Sequence, residues 1–65
     1  MLMFPKSRVD KFKHTNKALR YGQQFHHFMK LEKIKGHDKA FCDRLYEASD
    51  ELAKAMIASR IDPNN

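Results

Sequence analysis

The sequence predicts an all-α protein, a helical hairpin that dimerises into a four-helix bundle. No proline interrupts residues 6–62, and apolar residues recur at helical spacing in both halves of the chain. A chain of 65 residues is so short that a domain of this size buries only about 60% of its unfolded surface. The single cysteine, Cys42, cannot form an intrachain disulfide, so a partner subunit is the expected source of extra stability.

The first predicted helix covers residues 7–35. Ser7 and Asp10 fit a capping box at its start, and Gly36 follows a basic stretch that is typical of a helix end. Gly22 costs about 1 kcal/mol relative to alanine inside a helix. A three-helix bundle with a break near Gly22 is therefore the alternative. The apolar stripe of this helix comprises Ala18, Tyr21, Phe25 and Phe28, with Met29 beside them.

The second predicted helix covers residues 38–60, with Asp38 as its N-cap and an end before Asp62-Pro63. Its apolar residues step by four and three along the helix, which is the spacing of a heptad seam. The seam comprises Phe41, Leu45, Ala48, Leu52 and Ala55, flanked by Cys42, Ser49 and Met56.

The ends of the chain are predicted to lie outside the two helices. Residues 1–6 form either a loose arm or an apolar cover for one end of the core, and residues 61–65 form a frayed tail. The opening apolar run is too short for a signal peptide, and no stretch approaches the roughly 20 apolar residues of a membrane span. We therefore expect a cytoplasmic protein that does not contact a membrane.

Two helices cannot enclose a core by themselves, whereas two hairpins can close one between them. We therefore expect a homodimer whose subunit arrangement the sequence leaves open. The residues assigned to this core or dimer contact are Ala18, Tyr21, Phe25, Phe28, Phe41, Cys42, Leu45, Leu52 and Met56.

Charge is unevenly distributed along the chain. The net charge is +5, and residues 1–37 carry nine Lys or Arg against two acids, whereas residues 38–65 carry four against six. One face of the first helix gathers Lys13, Asn16, Lys17, Arg20, Gln24 and His27. Basic side chains neutralise phosphates and amides bond sugars or bases, so this face is predicted to bind structured RNA through shape and backbone. Two alternatives remain for this face: it docks on an acidic host protein, or it only keeps the chain in solution.

Other functions have little support in the sequence. Phe12 lies off the apolar stripe and is the best candidate for an exposed base-stacking residue. The four histidines lack i, i+4 spacing, and the lone Cys42 lies beside the apolar seam among acidic neighbours. We therefore expect no metal site, no cofactor, no small-molecule substrate and no enzymatic activity.

Residues 41–52 resemble the second helix of the Rop (Rom) family of plasmid copy-number regulators. The resemblance lies in Phe41-Cys42-Asp43-Arg44-Leu45-Tyr46-Glu47-Ala48-Ser49-Asp50-Glu51-Leu52, with Ala58 continuing it. It implies homodimeric hairpins that bind paired RNA stem-loops, with Asn16 and Gln24 on the family's RNA-contacting positions. This sequence departs from the family pattern at Arg20, where the family has an aromatic residue, and at Glu32, where it has leucine. A plasmid or phage regulator of a host protein is the alternative.

Overall fold

The computed structural model describes residues 2–64 and is mostly helical, which confirms the predicted fold class at that level. The elements are β1 (Phe4–Pro5), α1 (Lys6–Lys11), α2 (Tyr21–Phe28), a 3₁₀ turn (Leu31–Lys33), α3 (His37–Glu47), α4 (Asp50–Ala58) and β2 (Ile61–Asp62). Within the described residues no helix has the length and apolar character needed to cross a membrane. The bundle type and the dimer stay predictions.

The predicted helix over residues 7–35 is wrong, because the chain leaves the helix at Phe12 and re-enters one only at Tyr21. The turn brings the Phe12 ring edge-on against Phe25 and against Tyr21, at 5.1 Å between ring centroids in each case. In a continuous helix Phe12 would point away from that stripe. Burial of this ring, which is only 8% exposed, outweighs the lost helical bonds, and Phe12 is not a surface stacking residue.

The predicted helix over residues 38–60 is also divided, at Ala48 and Ser49. Ser49 is the N-cap of α4, and its hydroxyl accepts a hydrogen bond from the Leu52 N–H at 3.3 Å. The break shifts the helical phase, so α4 buries Ala53 and Ile57, which are four residues apart. Leu52, assigned to the seam, is instead 54% exposed on the chain.

The start of α3 also differs from the prediction, because Gly36 rather than Asp38 is the N-cap. Gly36 has φ 79° and ψ −145°, a conformation that only glycine adopts readily. Asp38 lies in the first turn, where its carboxylate accepts a hydrogen bond from the Leu2 N–H at 3.2 Å. The same carboxylate lies 3.6 Å from the Arg60 guanidinium, so it connects three segments of the chain.

The two ends of the described chain meet in a short parallel strand pair that the sequence did not predict. Phe4 pairs with Ile61, and the Phe4 N–H donates to the Arg60 carbonyl at 2.7 Å. Phe4 is 1% exposed and packs edge-on against Phe25, so the opening segment covers the core. Ile61 and Asp62 are ordered against β1 rather than frayed. Met1 and Asn65, which the predicted arm and tail included, lie outside the described residues.

One chain encloses a core of its own, to which the opening segment and the helices α2, α3 and α4 all contribute. Its most buried large side chains are Phe4, Phe25, Cys42 and Leu45. The backbones approach closely at Gly22, where a Cβ atom would overlap the Leu45 carbonyl oxygen and lie 3.2 Å from the Ala53 Cβ. Gly22 therefore sits at a contact of three helices rather than at a bend. Ala18 lies in the irregular connection and is exposed.

Candidate functional site

The two amide residues of the predicted RNA-binding face hold the connection between α1 and α2. The Gln24 Nε2 donates to the Lys13 carbonyl at 3.2 Å and to the Thr15 hydroxyl at 3.1 Å, while its Oε1 accepts from the Asn16 N–H at 3.0 Å. The Asn16 Oδ1 accepts from the Ala18 N–H at 3.0 Å. These bonds bring Lys13, Asn16 and Gln24 together, but they occupy the amides that would otherwise recognise a partner.

Arg20 is engaged in the same way. One guanidinium N–H donates to the Glu47 carbonyl at 3.1 Å, at the last residue of α3. A cation at this position satisfies a terminal carbonyl and opposes the negative end of the helix dipole. Arg20 therefore caps α3 from the start of α2 and acts as a structural residue of the fold.

Two further arginines also bond main-chain carbonyls. Arg8 donates to the Phe28 carbonyl at 3.2 Å, and its guanidinium carbon lies 4.9 Å from the centroid of the same ring. Arg60 donates to the Leu2 carbonyl at 3.2 Å and stacks over Phe41 at 4.0 Å. Helix ends and the opening segment thus depend on these arginines.

Most lysines are free by comparison. Lys6 pairs with Asp10 at 2.7 Å and Lys39 with Asp43 at 2.8 Å. Within residues 2–64, six exposed lysines have an ammonium group with no hydrogen bond, ion pair or aromatic contact, and we call them the unpaired lysines: Lys11, Lys13, Lys17, Lys30, Lys33 and Lys35. Of these six, only Lys13 and Lys17 were predicted from the sequence, although the basic run at residues 30–35 contains Lys30, Lys33 and Lys35.

His27 lies in the last turn of α2. It is exposed, and its ring lies 6.3 Å from the ring of His26 and 6.3 Å from that of Tyr46, on α3. Of the six predicted RNA contacts, the side chains of Asn16, Arg20 and Gln24 are thus engaged in hydrogen bonds within the chain.

A polar groove of about 460 Å³ opens between α2, the 3₁₀ turn and α3. Its walls carry the carboxylates of Glu32, Asp43 and Glu47, and His26 and Tyr46 also line it. Burial lowers the pKa of His26 below its ordinary value of 6.5, and Glu32 opposes that shift. The groove is therefore acidic and contains a histidine whose neutral form is favoured.

An apolar groove of about 490 Å³ lies between α3 and α4. Phe41, Ala48, Leu52 and Met56 form its surface, with Arg44 and Glu47 also lining it. Three of the residues assigned from the sequence to a core or dimer contact, namely Phe41, Leu52 and Met56, thus share one surface feature.

The chemistry of Cys42 is that of a buried thiol. The side chain is 1% exposed, and burial raises its pKa, with Asp38 and Asp43 adding to the shift. A protonated, inaccessible thiol is a poor nucleophile. Within residues 2–64, no group of three or more histidine, cysteine or acidic residues is arranged to hold a metal ion.

The chain matches no protein-family model, no curated protein and no solved structure. The proposals below therefore depend on its own residues.

Proposed function

We propose that this chain is a small regulatory binding protein that holds structured RNA through its unpaired lysines. The observation that carries the proposal is that the arginines and the lysines differ in their contacts. Three arginines bond main-chain carbonyls, whereas the ammonium groups of the six unpaired lysines are exposed and have no partner among residues 2–64. Free ammonium groups attract phosphates and release counterions when they bind them.

The position of these lysines favours contacts with the nucleic-acid backbone. Lys13 and Lys17 lie in the irregular connection before α2, and Lys30 and Lys35 lie in the connection after it. Arg8 ties α1 to the C-terminal end of α2, next to the second connection. Lysine contacts with phosphates position a nucleic acid without reading its bases, and double-stranded RNA is recognised mainly by its shape and phosphates.

The test measures affinity for a duplex RNA hairpin at several salt concentrations. We expect affinity to fall steeply with salt, and we expect the variant in which Lys11, Lys13 and Lys17 are changed to Gln to bind more weakly. For this variant, the slope of log affinity against log salt concentration should become shallower by roughly two, because each lost phosphate contact removes about 0.7–0.9 from it. Lys39→Gln is the matched control, since Lys39 is already paired with Asp43. Salt-independent binding, or an equal loss in the control, would contradict the proposal.

A second candidate function is self-association through the apolar groove, which would give the predicted homodimer. Leu52 is an exposed side chain at the apolar groove, which Phe41, Ala48 and Met56 also line. Each copy therefore offers both a protruding side chain and a groove that can receive one. Arg44 and Glu47 border the groove one helical turn apart, and within residues 2–64 neither side chain forms an ion pair. Around a two-fold axis, two antiparallel copies of α3 bring each arginine next to the partner's glutamate. Shape and charge therefore both fit a second copy.

Sedimentation equilibrium tests this candidate. Leu52→Asp should dissociate the dimer but keep the helical circular dichroism, because Leu52 is exposed on the single chain. Arg44→Glu should weaken association, and adding Glu47→Arg in the same chain should restore it by reversing both pairs. A monomer at millimolar concentration, or a double variant no better than the single one, rules out this interface.

A further inference from the structure

The polar groove contains a buried nitrogen atom without a hydrogen-bond partner. His26 is only 8% exposed, and its Nδ1 accepts and donates no hydrogen bond within residues 2–64. The nearest carboxylate oxygen, Glu32 Oε2, lies 3.9 Å away, which is too far for a hydrogen bond. Buried polar atoms are normally satisfied, so this nitrogen indicates a place where a ligand can supply the missing group.

The charge of the groove is opposite to that of the whole chain. Three carboxylates line it, and Lys39 pairs with only one of them, that of Asp43. The Glu32 and Glu47 carboxylates have no cationic partner in the described part of the chain, apart from the distant and neutral His26 ring. A cation is therefore the ligand class that the groove favours, in a molecule whose net charge is +5.

The walls of the groove define the shape of that cation. Leu31 and Ile34 offer apolar surface, and the ring of Tyr46 lies edge-on to His26 at 5.2 Å between centroids. An aliphatic stem can pack on the apolar side chains while a flat cationic head contacts the aromatic ring. A bare metal ion would use neither surface.

We propose that the polar groove binds an arginine side chain presented by a partner protein. The guanidinium group has five N–H donors in one plane. Two donors on neighbouring nitrogens can reach two acceptors about 4 Å apart, so one edge serves Glu32 Oε2 and His26 Nδ1 together. Glu47 is the further carboxylate available to the head group. Lysine fits less well, because its compact ammonium is strongly hydrated and lacks the planar edge.

This site and the RNA proposal use different side chains. Carboxylates repel phosphates, and the unpaired lysines do not line the groove. The chain would thus hold a basic segment of one partner on the α3 side of α2. Changing Lys13 and Lys17 to Gln should leave arginine binding intact, so the two proposals can fail separately.

The test uses N-acetyl-L-arginine amide as the probe and N-acetyl-L-citrulline amide as its uncharged counterpart. The histidine ring signals of the full chain are followed by NMR during each titration. We expect a saturable shift of the His26 and Tyr46 ring signals with the arginine probe and at least about tenfold weaker binding of the citrulline probe. The bound cation should also lower the pKa of His26 further, because it disfavours an imidazolium ion beside it.

Two Glu→Gln substitutions, each of which removes one negative charge, distinguish binding at this site from general electrostatic attraction. Glu32→Gln removes the carboxylate nearest to His26 and should weaken the arginine probe by about tenfold. Glu51→Gln, on α4 and outside the groove, should leave its affinity unchanged. Equal binding of the two probes, an equal loss in both variants, or the absence of a saturable shift at His26 would overturn the proposal.

Discussion

Residues 6–35 and residues 37–58 are stabilised in different ways. The second region contains two helices of 11 and nine residues, and the shorter one begins at a serine N-cap. The first has helices of six and eight residues, joined by an irregular connection whose main-chain groups are bonded by Gln24. Hydrogen bonds from long polar side chains therefore stabilise the first region, whereas main-chain helical hydrogen bonds stabilise the second. Basic and amide residues in a sequence can belong to such internal bonds as well as to a ligand surface.

The largest effect is expected where the two regions meet, at Gly22. Gly22→Ala adds a methyl group that overlaps the Leu45 carbonyl oxygen, so α2 must move away from α3 and α4. We expect a loss of about 2–3 kcal/mol in the free energy of unfolding, measured by urea denaturation. His27→Ala, on the exposed side of α2, is the control and should change it by less than about 0.5 kcal/mol. Similar values for the two variants would mean that α2 does not approach α3 so closely.

Gln24 stabilises the first region and Ser49 the second, and each can be removed by one substitution. Gln24→Ala removes the bonds to Lys13, Thr15 and Asn16 and should cost about 1–2 kcal/mol, with faster amide exchange confined to residues 13–19. Ser49→Ala removes the N-cap of α4 and should cost about 1 kcal/mol, with faster exchange in the first turn of α4. Exchange that spreads through the whole chain after Gln24→Ala would contradict a local role.

The pH dependence of stability should depend on His26, which lies between the two regions. Burial lowers its pKa in the folded chain, so the neutral ring is favoured by folding. The resulting stability is fully present above the unfolded pKa near 6.5 and is lost as the pH falls through the lower folded value. Unfolding titrations of the parent chain and of His26→Gln test this. The parent should lose more stability on acidification, and identical slopes would rule out this role of His26.

The smallest effect is expected at Lys30, the residue after the C-cap of α2, which has φ 56°, in the left-handed region that favours glycine. Lys30→Gly should raise the free energy of unfolding by about 0.5 kcal/mol, because it relieves that conformation. Lys35→Gly removes the same charge at a residue with ordinary backbone angles and should bring no gain. A gain in both variants would point to charge repulsion among the unpaired lysines instead.

Sequence periodicity predicted the helical class and indicated Phe25, Cys42 and Leu45, which the structure buries. Periodicity failed to predict the point at which one helix ends and the next begins with a different face towards the core. Ser49 followed by two acids is an N-cap signal that a continuous heptad pattern concealed. The bonds of Gln24 could not be predicted, because they join residues eight to 11 positions apart with no periodic relation. The polar groove combines three separate elements, so no local motif indicates it.

The pairing of β1 with β2 affects how the chain can fold as it leaves the ribosome. Phe4 is among the most deeply buried residues, yet the acceptor for its N–H is the carbonyl of Arg60, almost a whole chain length later. Closure of such a long loop carries a high entropic cost and brings no benefit until both strands exist. The strand pair can therefore form only after Ile61 and Asp62 have left the ribosome, later than the contact of Phe4 with Phe25 can form.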